Sequence, residues 1–457
     1  MRRWTTVLAV LAAACATTLP AASALGAGSS TGAGSDTATG SGTSGGSVQR
    51  ISVGATGAQA DGDSSGAVLS ANGRVVVFAS QARNLVPGTP EGAGIQLYAK
   101  DLWTGRVDLV SANPDGSPGY GSGYVHVVSA DGRYVAFDSP SNTLDPHDSG
   151  DGMDVFLRDR RKGTTELITR HDGAPDAARS FHPSISADGR YLAFTSLRDD
   201  LVPGDTNDRA DVFVRDRQTG TTQRVSVAGD GTQSNAASDN AVISADGRQV
   251  AFTTEAKNLF PWPQGAPGIA RPQPPYVSFG VHDLRTGRTR AGAYNLNGIP
   301  ARVQYGLHFS PDGRYLLFDT SDALLPGDES GWWGYYSRDL RTGAYARLAA
   351  RPDGGRPTGS MTGEGLSADN RTAFFTTNAP DLVPDDTNGT WDVFARDLRS
   401  GRVTRLGSTP DGGPPAAGAY GASPDRRGRL VAFTSGSADL VPGDTNGATD
   451  IFVRRLR

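Results

Sequence analysis

One phrase returns seven times along the chain. A Ser-Ala-Asp-Gly-Arg turn, or a near variant of it, begins at Ser70, Ser129, Ser186, Ser244, Ser310, Ser367 and Ser423, with spacings of 59, 57, 58, 66, 57 and 56 residues. A fixed period of this size marks stacked supersecondary units, each too small to bury its apolar face alone. Within a unit the local signals are all β. In the second copy Asp131-Gly132 lies between two apolar runs, 125–128 and 134–137. Glycine accepts positive φ without steric cost, so strands one and two form a tight hairpin. Asp154-Val-Phe-Leu-Arg-Asp159 reads as strand three, Lys162-Gly163 (Thr-Gly at 104, 219, 286 and 342 in other copies) as the next turn, and residues 165–169 as strand four. No segment shows helical periodicity. The expected fold is therefore all-β, a seven-bladed β-propeller of four-stranded antiparallel blades.

The last copy ends soon after Asp450-Ile-Phe-Val-Arg454 and has three strands. Residues 48–53 (Val-Gln-Arg-Ile-Ser-Val) nearly repeat residues 222–227 (Thr-Gln-Arg-Val-Ser-Val), a fourth strand from mid-chain. The N-terminal strand is expected to complete the last blade and close the ring over residues 47–457, leaving no open sheet edge.

Ahead of the ring, Arg2 and Arg3 precede a short apolar stretch, 7–16, and Ala22-Ser23-Ala24 offers small residues for cleavage. Residues 1–24 read as a signal peptide and the protein as secreted or extracytoplasmic. The one cysteine, Cys15, lies in the apolar stretch; it would leave with the signal, or else carry a lipid anchor, the weaker match. Residues 25–46 are almost wholly Gly, Ser, Thr and Ala and read as a flexible tether. The formal charge of −4, with no basic footprint, argues against a nucleic-acid partner. No transmembrane segment is expected after signal cleavage, and a monomer is expected.

The run Ser-Pro-Asp-Gly-Arg-Tyr-Leu-Leu-Phe (310–318), followed by Tyr336-Ser-Arg-Asp-Leu and Thr-Gly, resembles the repeat of TolB-like propellers, also called WD-repeat-like β-propeller repeats. The resemblance spans nearly all of the chain after the tether. It implies a propeller; the N-terminal α/β domain of TolB, a periplasmic protein that joins an envelope complex, has no counterpart in the tether.

Three loops between strands two and three share Asp-x-Asn-x-x-x-Asp: Asp205, Asn207 and Asp211; Asp386, Asn388 and Asp392; Asp444, Asn446 and Asp450, with Asp148, Asp151 and Asp154 a looser fourth. Closely spaced hard oxygens suit Ca²⁺, the one cofactor the sequence raises. The same pattern also suits an Asx turn whose last Asp starts strand three.

Ligands of propellers bind on the face bearing the loops between strands two and three and between blades. Blade four carries a proline-rich insertion, 260–275, with Trp262, and blade five carries Trp332-Trp333-Gly-Tyr335-Tyr336. Exposed aromatics of this kind anchor proteins and sugars; the other reading has them covering blade edges. Topology adds Tyr120, Tyr124, Arg179, Phe181, His182, Asn240, Arg302, Tyr305, Glu364 and Tyr420 to the same face. The six histidines are scattered in register and read as packed or solvated. The Arg-Asp pairs at 158–159, 215–216, 338–339 and 396–397 recur at one register, as structural ion pairs or turn caps do. With no linear catalytic motif, the reading is a non-catalytic binding or scaffold module for a protein or cell-envelope glycan. The alternative is a propeller-fold hydrolase or lyase acting on an extracellular polymer through residues from separate blades.

Overall fold

The computed structural model describes residues 46–456, except 93, 120–124, 149, 151, 171–178, 262–275, 304–305, 329–330 and 332. Residues 1–45, with Cys15, which hold the expected signal peptide (1–24) and all but the last residue of the expected tether (25–46), lie outside the described residues, as do Tyr120, Tyr124, Trp262, Tyr305 and Trp332. Among the described residues every regular element is a strand, and no helix is long and apolar enough to cross a membrane.

The strands form seven four-stranded antiparallel sheets, six of them in chain order. Blade 2 is typical: His126–Val128, Tyr134–Ser139, Asp154–Asp159 and Thr164–Leu167. The fourth strand of blade 7 is supplied by Val48–Arg50, which pairs antiparallel with Asp450–Arg455, placing Val48 opposite Arg454 and Arg50 opposite Phe452. The N-terminal strand thus closes the ring as expected. Its grip extends beyond the ladder: Ile51 N–H donates to Ile451 O at 2.7 Å, and the Ser52 hydroxyl donates to Asp450. Strand ones of successive blades contact one another all the way round, so the first strands line the axis and the fourth strands face outward.

The recurring phenylalanines explain the phrase. Strand-two and strand-three rings stack within a blade, Phe137 on Phe156 at 5.8 Å, Phe194 on Phe213 at 5.9 Å, and Phe433 on Phe452 at 5.7 Å between centroids. Each ring buried between blades contributes about 1.5–3 kcal/mol from area alone, with about 0.5–1.5 kcal/mol more per ring pair.

The turns also join blades. The turn serine accepts the N–H five residues on and donates to the turn Asp, as Ser129 does with Tyr134 N–H at 2.9 Å and Asp131 at 2.8 Å. Backbone bonds then run from turn to turn across blades: Asn72 N–H to Ala130 O, Ala130 to Ala187, Ala187 to Ala245, Ala368 to Arg426 and Arg426 to Ala71, at 2.7–3.0 Å. Two of the seven joints carry no such bond among the described residues: none runs from Ala245 to Pro311, and Pro311 has no N–H to give residue 368. There the Asn370 amide reaches Asp312 at 2.8 Å instead. In blade 7 the position expected for Ser423 is held by Asp425, whose carboxylate accepts Arg429 N–H at 2.7 Å and Leu430 N–H at 3.1 Å. Gly428 N–H bonds Asp425 O as Gly132 N–H bonds Ser129 O, so the blade 7 turn starts at Asp425, two residues after Ser423.

The Arg-Asp neighbours do two different jobs rather than pairing with each other. The arginine reaches carbonyls of the preceding blade, Arg338 to Gly292 O at 2.8 Å and Arg454 to Leu406 O at 2.6 Å. The aspartate caps the following turn and binds the turn arginine, as Asp159 does with Lys162 N–H at 3.2 Å and Arg133 at 2.6 Å.

Candidate functional site

Seven repeats lining one axis make departures from symmetry easy to see. Near its loop-bearing end, strand one carries a bulge in blades 1, 3, 4, 6 and 7. Four residues before the turn serine, or before Asp425, φ is positive in five blades: Gly66 (67°), His182 (53°), Asn240 (52°), Gly306 (68°) and Gly421 (65°). Glycine takes this conformation freely, whereas a side-chain-bearing residue is held there at a cost of about 1–3 kcal/mol. Blades 3 and 4 therefore carry backbone strain that brings an imidazole and a carboxamide to the axis.

His182 is fixed from two sides. Its Nδ1 lies 2.9 Å from Asp239 Oδ1 of the next blade, and its backbone N–H donates to Asp138 of the preceding blade at 3.3 Å. Burial opposes charge on the imidazole, but the hydrogen bond and charge of Asp239, with Asp138 beyond, hold it above the usual histidine range. Burial likewise pushes Asp239 up, and the His182 bond outweighs it and keeps the carboxylate below its ordinary value. Both groups are about one-third exposed toward the axis, with side-chain exposures of 35% and 37%.

A second group lies across blades 5 and 6. Asp319, at the strand-two position of Asp138, accepts the Gly363 N–H on both oxygens at 3.1 Å. The Tyr335 hydroxyl accepts the Gly365 N–H at 3.1 Å. Between those glycines stands Glu364, which accepts the Thr376 hydroxyl at 3.2 Å. Burial pushes Glu364 up to about 8; burial and the neighbouring Glu364 push Asp319 well above the carboxylate range. The inner fourteen strands carry Asp138, Asp239, Asp319 and Glu364 and no lysine or arginine.

Several expected site residues take other places. Tyr335 is 0% exposed: it starts a strand buried on both faces and is not part of an exposed aromatic loop. Trp333 is half-buried. Tyr420 opens strand one of blade 7 opposite Thr434. His126 and His308 are packed histidines, their Nε2 atoms 2.6 Å from Gly66 O and 3.2 Å from Gly363 O. The sequence reading placed His182, Asn240 and Glu364 on this face and missed Asp138, Asp239 and Asp319. Aligning strand two would have found two of those: five repeats have Ala or Thr (79, 195, 253, 376, 434) where 138 and 319 are Asp.

The Asp-x-Asn loops are built around arginine. In blade 3 Asn207 donates to Asp211 at 2.8 Å and to Ser234 O at 3.0 Å, and accepts Arg209 N–H at 3.0 Å, an Asx turn. Arg224 from strand four lies 2.8 Å from Asp205 and 3.8 Å from Asp211. Asn388 and Asn446 repeat the bond to Asp392 and Asp450 at 2.9 and 3.0 Å. Arg50 sits 2.7 Å from Asp444, and Arg405 sits 3.7 Å from Asp386. Burial pushes Asp392 up to about 6 against the Asn388 bond and the Arg405 charge.

No protein-family model and no curated protein sequence matches the chain. Solved structures do. An oligogalacturonate lyase from Vibrio parahaemolyticus matches with a TM-score of 0.54 at 12% identity, over 90% of this chain and 93% of that one. A prolyl endopeptidase matches with a TM-score of 0.52 at 11% identity, over 86% of this chain and 50% of that one. A putative TolB from Agrobacterium tumefaciens reaches a TM-score of 0.37 at 15% identity, over 63% of this chain and 80% of that one. The likeness is one of fold. Its substance is the propeller ring that the TolB-like repeat phrase implies, and it assigns no chemistry to the axis.

Proposed function

We propose that this chain is an exported, non-catalytic propeller that binds a protein or envelope glycan at the loop-bearing end of its axis. One observation carries the reading: the sevenfold pattern is broken, at the cost of backbone strain, by His182 and Asn240, with Asp138 and Asp239 fixing the imidazole. Residues that serve only the fold recur from blade to blade, whereas a binding site is asymmetric. Export rests on the 1–24 segment, and N-terminal sequencing of protein recovered from the medium is expected to start after Ala24.

The test exploits the repeat. His182→Gly and Asn240→Gly insert the residue that blades 1, 5 and 7 use at the same φ, so the ring is retained while the polar groups are lost. Secreted native protein, immobilised and exposed to solubilised envelope, is expected to retain material that both variants release. Equal retention by native protein and variants moves the ligand elsewhere and removes the proposal.

A second reading follows from the His182–Asp239 pair. A carboxylate that orients an imidazole is the arrangement of a general base, which suits a hydrolase or lyase acting on an extracellular polymer. Polymer consumed by native protein but not by His182→Gly would favour it.

A further inference from the structure

On the opposite face, away from the axis, the junction between blades 1 and 2 differs from its neighbours. At the first position of strand two, blades 2 and 3 have tyrosine. Tyr134 lies against Gly189, where a Cβ would come within 2.4 Å of the ring, and Tyr191 lies in the same way against Gly247 at 2.5 Å. Tyr134 is flanked by Arg133 and Arg217, at 4.6 and 4.7 Å from its centroid. Blade 1 has Val75 there, against Gly132. Without the ring a cleft of ≈ 340 Å³ stays open.

Its lining is basic. Five arginines, Arg74, Arg106, Arg133, Arg160 and Arg161, meet three aspartates of the lining, Asp101, Asp108 and Asp131, and a fourth, Asp159, holds Arg133 at 2.6 Å. Arg160 holds Gly132 O at 2.6 Å and Asp108 at 2.8 Å, yet its buried Nε–H has no partner. Its counterpart in blade 3, Arg217, spends that donor on Glu166 at 3.2 Å. The Arg161 side chain is exposed and makes no ion pair among the described residues. Beside the cleft stands Trp103, 77% exposed, with the Arg74 guanidinium 5.1 Å from its centroid. An orphaned guanidinium donor, a surplus of positive charge and an open indole match an oxyanion carried on a flat, partly apolar ring.

We propose that the cleft between blades 1 and 2 binds an acidic saccharide, its carboxylate taken by Arg160 and Arg161 and its sugar face laid on Trp103. The site is independent of the axis and of the function proposed there. Calorimetric titration of the full-length secreted protein with glucuronate, acetate and glucose tests it. Glucuronate is expected to bind at least about tenfold more tightly than acetate, and glucose to give no saturable heat. Trp103→Ala is expected to bring glucuronate down to the level of acetate. Val75→Tyr, which fills the cleft with the residue that blades 2 and 3 carry, is expected to abolish binding with the melting temperature held or raised. Glucuronate bound no more tightly than acetate overturns the saccharide, and undiminished binding by folded Val75→Tyr overturns the site.

Discussion

Gly363 has no room for a side chain: a Cβ there would lie 1.9 Å from the Tyr335 ring, and one on Gly306 would lie 2.2 Å from Asp319 Oδ2. The buried phenol and carboxyl at the junction of blades 5 and 6 exist because the facing backbone carries no Cβ. Gly363→Ala should therefore cost about 2–4 kcal/mol through overpacking, read as a lowered urea midpoint. Glu364, between these groups, makes stability depend on pH. Its carboxyl titrates near 8 in the fold against an ordinary value of 4.5, so the folded chain keeps a proton that the unfolded chain has released. That contribution is complete below about 4.5 and is lost as pH rises toward 8. Glu364→Gln should flatten the decline by about 1 kcal/mol or more, measured as urea midpoints at about pH 5 and about pH 8.5.

The Asp-x-Asn loop behaves as one unit with the arginine of strand four. Arg224 sits against two buried carboxylates, Asp205 and Asp211, and removing it leaves both charges uncompensated. Arg224→Ala is expected to destabilise by about 3–5 kcal/mol, seen by calorimetry. In the loops of blades 3 and 7 a guanidinium lies 2.8 and 2.7 Å from the first carboxylate, so calcium at about 5 mM should leave the native melting temperature unchanged. At this scale most of the structure was legible in the sequence, because turns and short strands are set by neighbours in the chain. Strand three of blade 2 spans Asp154–Asp159, as read. The departures have local causes too. Ser423-Pro-Asp mimics the turn phrase two residues before the true turn at Asp425, and the Trp-Trp-Gly-Tyr-Tyr run reads as an exposed loop when its last three residues start a strand buried on both faces.

Closure belongs to the whole molecule. Removing residues 46–53 would take Arg50 from Asp444, Ser52 from Asp450 and Ile51 from the core shared by blades 1 and 7. It would also bare the Asp450–Arg455 edge. The expected outcome is association through that edge, seen by light scattering as larger species than the intact chain forms. The axial site is a whole-molecule property as well. Asp138, His182, Asp239, Asp319 and Glu364 come from five blades, and no local pattern announces which of seven equivalent positions will meet. The turn-to-turn bonds carry a consequence of their own. A ring of equal joints has no preferred place to part, but Pro311 withholds one amide, and across that joint the load passes to Asn370, Asp319, Tyr335 and Glu364. Amides ignore pH and acids do not, so alkaline solution should loosen the junction of blades 5 and 6, where acids take the place of that amide.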